Sequence, residues 1–234
     1  MSLFRTRLLW DRLFASYYNR GTKDRTEALY LSLRETLRAH VFSELSRGGR
    51  LLDAGCGPGH LMALLADDVP RATLFGVDFS STMVRVAASA LAKSPARHAW
   101  LVQGDIHHLP FADGSLDVVL SICSLKWWTD PVACLNEIHR VARPHATIML
   151  VEMNREATAG EIGSWKRELA RSLPTGNPGR KWIFEHVALA NSFSTSDVER
   201  IVRQTHFSTI DLGTVRGYPF LRAIARKPGR TSRG

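Results

Sequence analysis

Three glycines at alternate positions, Gly55, Gly57 and Gly59, follow the apolar run Leu51-Leu52-Asp53-Ala54 and precede a helical pattern that opens at His60. Glycines let the backbone turn tightly and let a ligand approach without a Cβ in the way, while the helix start behind them presents unpaired N–H groups. The pattern predicts a nucleotide-like ligand at this turn. It is not the dinucleotide fingerprint, which would need a glycine at position 60, where the chain has His60. Asp53 stands two residues before the first glycine, at the tip of the strand, where a carboxylate repels a pyrophosphate and attracts an ammonium. A cationic nucleoside therefore suits the turn better than NAD or FAD.

Two further acids stand where a nucleoside needs them. Asp78 closes the apolar run TLFGVD, 23 residues after Gly55, the position from which an acid accepts hydrogen bonds from ribose hydroxyls. Asp105 closes WLVQGD and can accept from the exocyclic amine of adenine, with Phe79, Met83 and Ile106 offering apolar faces to the ring. Any one of these aspartates is equally an N-cap or turn residue; three at successive strand ends converge on one crevice. S-adenosylmethionine, with a sulfonium, an ammonium and no phosphate, has the matching character.

The elements that must position these groups alternate. After helical patterns over residues 4–17 and 27–45 and the Gly48-Gly49 break come RLLDA, a helix from His60, TLFGVD, a helix from Ser81, HAWLVQGD, SLDVVLSI, the helix-like VACLNEIHRVA and ATIMLVEM. Strands alternating with helices specify an α/β, doubly wound, mostly parallel sheet. Residues 154–194 read as a helical insertion or lid, with Trp165, Trp182, Phe184 and Phe193. Ser196 to Glu199 then reads as a capping box, and FSTIDLGTV and YPFLRAIAR supply the last two strands. The divisions are a helical cap over 1–47, a ligand-binding core over 48–153, the insertion, a C-terminal part of the same domain over 195–227 and a frayed basic tail over 228–234.

A chain of 234 residues, 44% hydrophobic and 23% charged, is long enough to bury its own core without disulfides or a structural metal. Its three cysteines form no C-x-x-C pair, which fits a reducing, cytoplasmic setting and predicts no metal site. There is no run of about 18 apolar residues to span a membrane. The first 20 residues lack a signal-peptide h-region, and Asp11 argues against a transit peptide despite their arginines. The net charge of +9 gathers at the ends (Arg5, Arg7, Arg12 and Arg20; Arg222, Arg226, Lys227, Arg230 and Arg233), which reads as solvated basic ends or as a polyanion-binding surface.

Taken together, D-A-G-C-G-P-G, V-D-F-S-S-T-M, the run QGDIHHLPFADGSLDVVLS and NEIHRVARPHATIMLVE resemble the successive motifs of the class I S-adenosylmethionine-dependent methyltransferases, over residues 48–152. The resemblance implies a seven-stranded Rossmann-like methyltransferase sheet, S-adenosylmethionine as methyl donor and S-adenosylhomocysteine as product. It implies Asp53, Gly55, Gly57, Gly59, Asp78, Phe79, Met83, Asp105, Ile106 and Ser121 as cofactor-binding residues. A-S-Y-Y-N at 15–19 is similar to the start of the small-molecule methyltransferases of ubiquinone and menaquinone biosynthesis, which implies Tyr18 as a closing residue of the same pocket. Two departures stand out. Pro144-His145-Ala146 replaces the family's Pro-Gly-Gly and predicts a different turn before strand five, and Lys126-Trp127-Trp128 replaces its His-containing segment after strand four.

Methyl transfer from a sulfonium is an in-line displacement on an activated carbon, so a protein achieves it mainly by proximity in a dry pocket. No catalytic residue is assigned; His107, His108, His139, His145 and His186 are the available bases. Lys126, Trp127 and Trp128, after strand four, are candidate acceptor-binding residues, and equally packing or solvated ones. The leading expectation is a methyltransferase for a small-molecule acceptor. RNA or protein as acceptor, served by the basic ends, and a non-catalytic cofactor-binding protein stand as alternatives. Ser121-Ile122-Cys123-Ser124 at the strand-four exit lacks the Pro-Pro-aromatic segment of base-amine methyltransferases and favours the small acceptor.

Overall fold

The computed structural model describes residues 15–172 and 191–229. Its centre is β1 (Arg50–Ala54), whose last four residues are all buried, as a parallel strand covered on both faces requires. The other strands are β2 (Thr73–Asp78), β3 (Ala99–Gln103), β4 (Leu116–Ile122), β5 (Ala142–Met153), β6 (Ser208–Thr214) and β7 (Phe220–Arg226). They form one seven-stranded sheet in the order β3-β2-β1-β4-β5-β7-β6. β1 to β5 are parallel, and β7 lies antiparallel between β5 and β6. This is the doubly wound, mostly parallel sheet expected from the alternation. Its strand order reverses between β1 and β4, which opens a crevice at their carboxyl ends.

Apolar residues at helical spacing cover both faces. On one side lie α1 (Ala15–Leu37), α3 (His60–Asp68) and α4 (Ser81–Leu91), with Leu33, Leu37, Leu61, Leu65 and Leu91 packed on Leu51, Leu74 and Val118. On the other lie α5 (Pro131–Val141) and α7 (Thr195–Arg203), whose Leu135, Ile138, Val198 and Val202 meet Leu52, Val119, Leu150 and Leu221. Between α1 and β1 the chain passes through a π turn (Arg38–Phe42) into the short α2 (Ser43–Ser46), so the helical pattern over residues 27–45 belongs to a continuous run that starts at least at Ala15. Asp68, at the end of α3, holds α1 through Tyr30 and through the Nε and Nη2 of Arg34, which donate to its two carboxylate oxygens. Among the described residues no helix is long and apolar enough to cross a membrane.

The insertion contributes α6 (Ala159–Ser172), whose Trp165 packs edge-on against Tyr218 and Phe220. Trp182, Phe184 and His186 lie outside the described residues, as does the end of the basic tail. Two local expectations need correction. The capping box of α7 is Ser194 with Asp197, not Ser196 with Glu199: the Ser194 hydroxyl accepts from the Asp197 amide and the Asp197 carboxylate accepts from the Ser194 amide. The segment around Pro144 is a bulge inside β5 rather than a turn before it. Arg143–Ala146 stand opposite Asp117 alone, and His145 takes a left-handed φ of 68° that ordinarily favours glycine. Ser194→Ala should cost about 1 kcal/mol in urea unfolding and Ser196→Ala less than half of that, since only the first serves the helix N-terminus; the reverse order would restore the original assignment.

Candidate functional site

The crevice is walled by the turn after β1. Gly55 and Gly59 both take left-handed φ values, 84° and 74°, and neither has room for a side chain. A Cβ on Gly55 would lie 2.5 Å from that of Ser124, and one on Gly59 would lie 2.8 Å from that of Ala87. Gly57 differs, because a Cβ there would meet nothing within 4 Å. The outer two glycines thus permit close packing of protein on protein, and the middle one faces open space. The amides of Gly55 and Cys56 both donate to the Val77 carbonyl, stitching the turn to β2.

Asp78 completes that attachment. One carboxylate oxygen accepts from the Gly57 amide and the other from the Ser80 amide, each at 2.9 Å, so the acid at the end of β2 shapes the glycine turn as well as facing the crevice. Ser80 in turn caps α4 by accepting from the Met83 amide, and Met83 is buried with 1% of its surface exposed. Asp53 is deeper, and burial, reinforced by the neighbouring Asp78 charge, pushes its carboxyl up from 3.8 to about 7. A buried acid in this state gains from an incoming cation.

Asp105 lies in the loop two residues beyond β3. It accepts from the His107 amide and sits 2.7 Å from the His107 ring, whose other nitrogen reaches Thr129 at 3.2 Å. Ile106 is buried beside Leu109 and Leu125, and Phe79 uses its carbonyl to accept from Gln103. Ser121 is buried at the end of β4 and shares a 2.6 Å hydrogen bond with Ser124, which itself donates to the Ala54 carbonyl. Tyr18 falls in the opening turns of α1, where side chains are outside the described residues.

Beyond Ser124, Leu125–Trp127 form one 3-10 turn. Trp127 and Trp128 are half-buried, the latter against the core cluster of Ile106 and Leu125. Lys126 has 8% of its side chain exposed and stands 3.9 Å from Glu152, at the carboxyl end of β5. Glu152 is fully buried and was missed by the sequence reading, because it sits in an apolar run whose alternation marks only a strand. The one signal was a carboxylate within that run. His139 and His145 lie beside the start of β5, at the opposite edge of the sheet from the crevice. Burial, with Lys227 and His206 nearby, pushes His139 down to about 4. Among the described residues no cluster of three metal-ligating side chains occurs.

A family model described as a methyltransferase domain matches residues 52–150. The malonyl-[acyl-carrier protein] O-methyltransferase of Methylococcus capsulatus is 30% identical over 208 residues, covering 87% of this chain and 69% of that protein. The chain belongs to the class I S-adenosylmethionine-dependent methyltransferases. Other members of this methyltransferase family match over less of their length. The chain covers 56% of a malonyl-[acyl-carrier protein] O-methyltransferase from Laribacter hongkongensis, to which it is 32% identical over 68% of its own residues. It covers 44% of a demethylmenaquinone methyltransferase from Roseiflexus, at 39% identity over 46% of its own residues. The chain thus spans about half the length of these two curated relatives. Among solved structures, a methyltransferase from Aquifex aeolicus superposes with TM-score 0.65 at 18% identity, covering 84% of this chain and 92% of that one. Magnesium protoporphyrin IX methyltransferase from Synechocystis, with bound S-adenosylhomocysteine, superposes with TM-score 0.63 at 16% identity, covering 96% and 99%. Both share the fold of this methyltransferase.

The raised Asp53 carboxyl has a consequence for stability. Below about pH 3 the acid is protonated in both folded and unfolded chains and contributes nothing. Between pH 4 and 7 the unfolded chain loses the proton first, so stability falls as pH rises and stays lowered above pH 7. Asp53→Asn should therefore raise unfolding stability at pH 8 by about 2 kcal/mol or more and at pH 4.5 by no more than about 1 kcal/mol. Equal effects at the two pH values would mean that the acid is not held protonated by burial.

Proposed function

We propose that this chain transfers the methyl group of S-adenosylmethionine to a small-molecule acceptor. The observation that carries the reading is the pairing of an open glycine wall at Gly57 with a buried acid at Asp53 that favours a cation. In this reading Asp53 meets the positive end of the donor and Asp78, already holding two amides, uses its remaining lone pairs for the ribose hydroxyls. Asp105 receives the adenine amine, Phe79, Met83 and Ile106 enclose the ring, and Gly55, Gly59 and Ser121 complete the wall. Bound S-adenosylmethionine supplies a methyl carbon already activated by its sulfonium. The protein's remaining work is to exclude water and hold the acceptor in line, and no general base is assigned.

Lys126, Trp127 and Trp128 are proposed to line the acceptor side, over the ends of β4 and β5. An aromatic face near a sulfonium also favours its charge. The names of the relatives, which act on demethylmenaquinone or malonyl-[acyl-carrier protein], support a small or carrier-borne acceptor over a nucleic acid. The three cysteines form no C-x-x-C pair, which suits a cytoplasmic setting.

Calorimetric titration should show micromolar binding of S-adenosylmethionine and S-adenosylhomocysteine and none of NAD or FAD. Asp78→Ala should weaken binding by about 1.5–3 kcal/mol, the worth of hydrogen bonds to a charged group. A folded Asp78→Ala protein with wild-type affinity would remove the ribose assignment, and a wild-type chain that binds neither methionine derivative would remove the proposal. Binding to RNA that falls steeply with salt would instead favour a nucleic-acid acceptor.

A further inference from the structure

The site just described leaves one buried acid unused. Glu152 closes β5 with none of its surface exposed, and the Leu125 amide donates to its Oε1 at 2.7 Å. Burial pushes its carboxyl up, and the Lys126 ammonium with the amides of Leu125, Met153 and Ser124 opposes that rise. Its Oε2 accepts no hydrogen bond and has the Lys126 ammonium 3.9 Å away. A carboxylate taken this far out of water is tolerated only because a cation and several amides converge on it.

The segment those amides belong to, Ser124 to Trp128, is the exit of β4. Its first residue is packed directly beneath the cofactor turn: the Ser124 hydroxyl donates to the Ala54 carbonyl at 2.8 Å, and its Cβ occupies the space that a side chain on Gly55 would need. The chain from Glu152 through Leu125 and Ser124 to Gly55 is therefore continuous contact, with acceptor-side residues at one end and donor-side residues at the other.

We propose that Glu152 is a positioning residue that locks the β4 exit to the glycine turn, acting through the Leu125 amide and the Lys126 ammonium, so that the acceptor side and the cofactor side of the pocket are set together. It touches neither the donor nor the reacting carbon. The inference rests on the reading of the glycine turn as the S-adenosylmethionine site, and it goes beyond that reading by joining the site to a residue outside it.

The test uses the full chain in four forms: wild type, Glu152→Gln, Lys126→Met and the double variant. Each is titrated with S-adenosylhomocysteine, and its lysines are mapped by acetic anhydride labelling and mass spectrometry. Each single variant leaves one partner buried without its opposite charge, and binding should weaken about tenfold, whereas the double variant should return to within about threefold of wild type. Lys126 should resist acetylation in the wild type and become reactive in Glu152→Gln. Ser124→Ala, which leaves the ion pair intact, should weaken binding about threefold with Lys126 still shielded, and this variant carries the test if Glu152→Gln does not fold. Affinities within about twofold of wild type in folded single variants, even with a lowered Tm, would overturn the proposal, as would additive losses in the double variant or unchanged Lys126 labelling. If the wild-type chain binds no S-adenosylhomocysteine, the cofactor reading falls, and the labelling result alone decides whether Glu152 holds Lys126.

Discussion

Asp78 holds an amide from each side of the crevice: Gly57 from the turn after β1, and Ser80 from the start of α4. Together with the Gly55 and Cys56 amides on the Val77 carbonyl, those two bonds fix the outline of the glycine turn, since glycines supply conformational freedom and not rigidity. The same acid lies close enough to Asp53 to raise its carboxyl, so the interaction that shapes the turn also burdens the folded chain with charge repulsion. Order at the ligand edge and strain at that edge have one source. The sheet and its two helical layers provide enough buried apolar surface to carry the burden.

The carboxyl ends of the five parallel strands form a row of polar groups, namely Asp53, Asp78, the loop acid Asp105, Ser121 and Glu152, with an otherwise apolar core beneath them. Their neighbours differ in kind. Asp78 is satisfied by main-chain amides, Asp105 meets His107, Ser121 meets another hydroxyl, and Glu152 has an amide on one oxygen and an ammonium 3.9 Å from the other. Burial opposes the charge of both Asp53 and Glu152; Glu152 has a cation and amides against it, whereas Asp53 has another acid beside it. In the proposed reading, that asymmetry gives the crevice its preference for a positive ligand.

Much of this was legible in the sequence, and for identifiable reasons. A parallel strand buried on both faces must be a short apolar run, so RLLDA, TLFGVD and SLDVVLSI announced themselves, and alternate glycines after the first of them have few uses other than a ligand turn. What was not legible depends on partners distant in sequence. Ser194 and Ser196 each offer a hydroxyl three residues before an acid, Asp197 and Glu199, and only the helix start separates them. His145 occupies a backbone region that its side chain does not advertise, where the bulge in β5 leaves four residues opposite one. Glu152 reads as one polar residue in a hydrophobic strand until the β4 exit is folded against it, and Lys126 reads as a surface cation until Glu152 is beneath it.

The position of β7 bears on how the chain assembles. It is the last strand along the described chain yet an interior one, hydrogen-bonded to β5 on one side and β6 on the other, and its Leu221, Ala223 and Ala225 fill the core under α5 and α7. While the polypeptide emerges from a ribosome, everything from β1 to β5 is available to fold, but β5 presents an unpaired edge until residues some seventy positions later arrive. Such late, non-local pairing slows folding and leaves an aggregation-prone strand exposed in the interval. Because β7 runs against the parallel strands, it also carries the chain away from the ligand edge as it ends, so a protein fused after it would emerge on the far side of the sheet from the crevice.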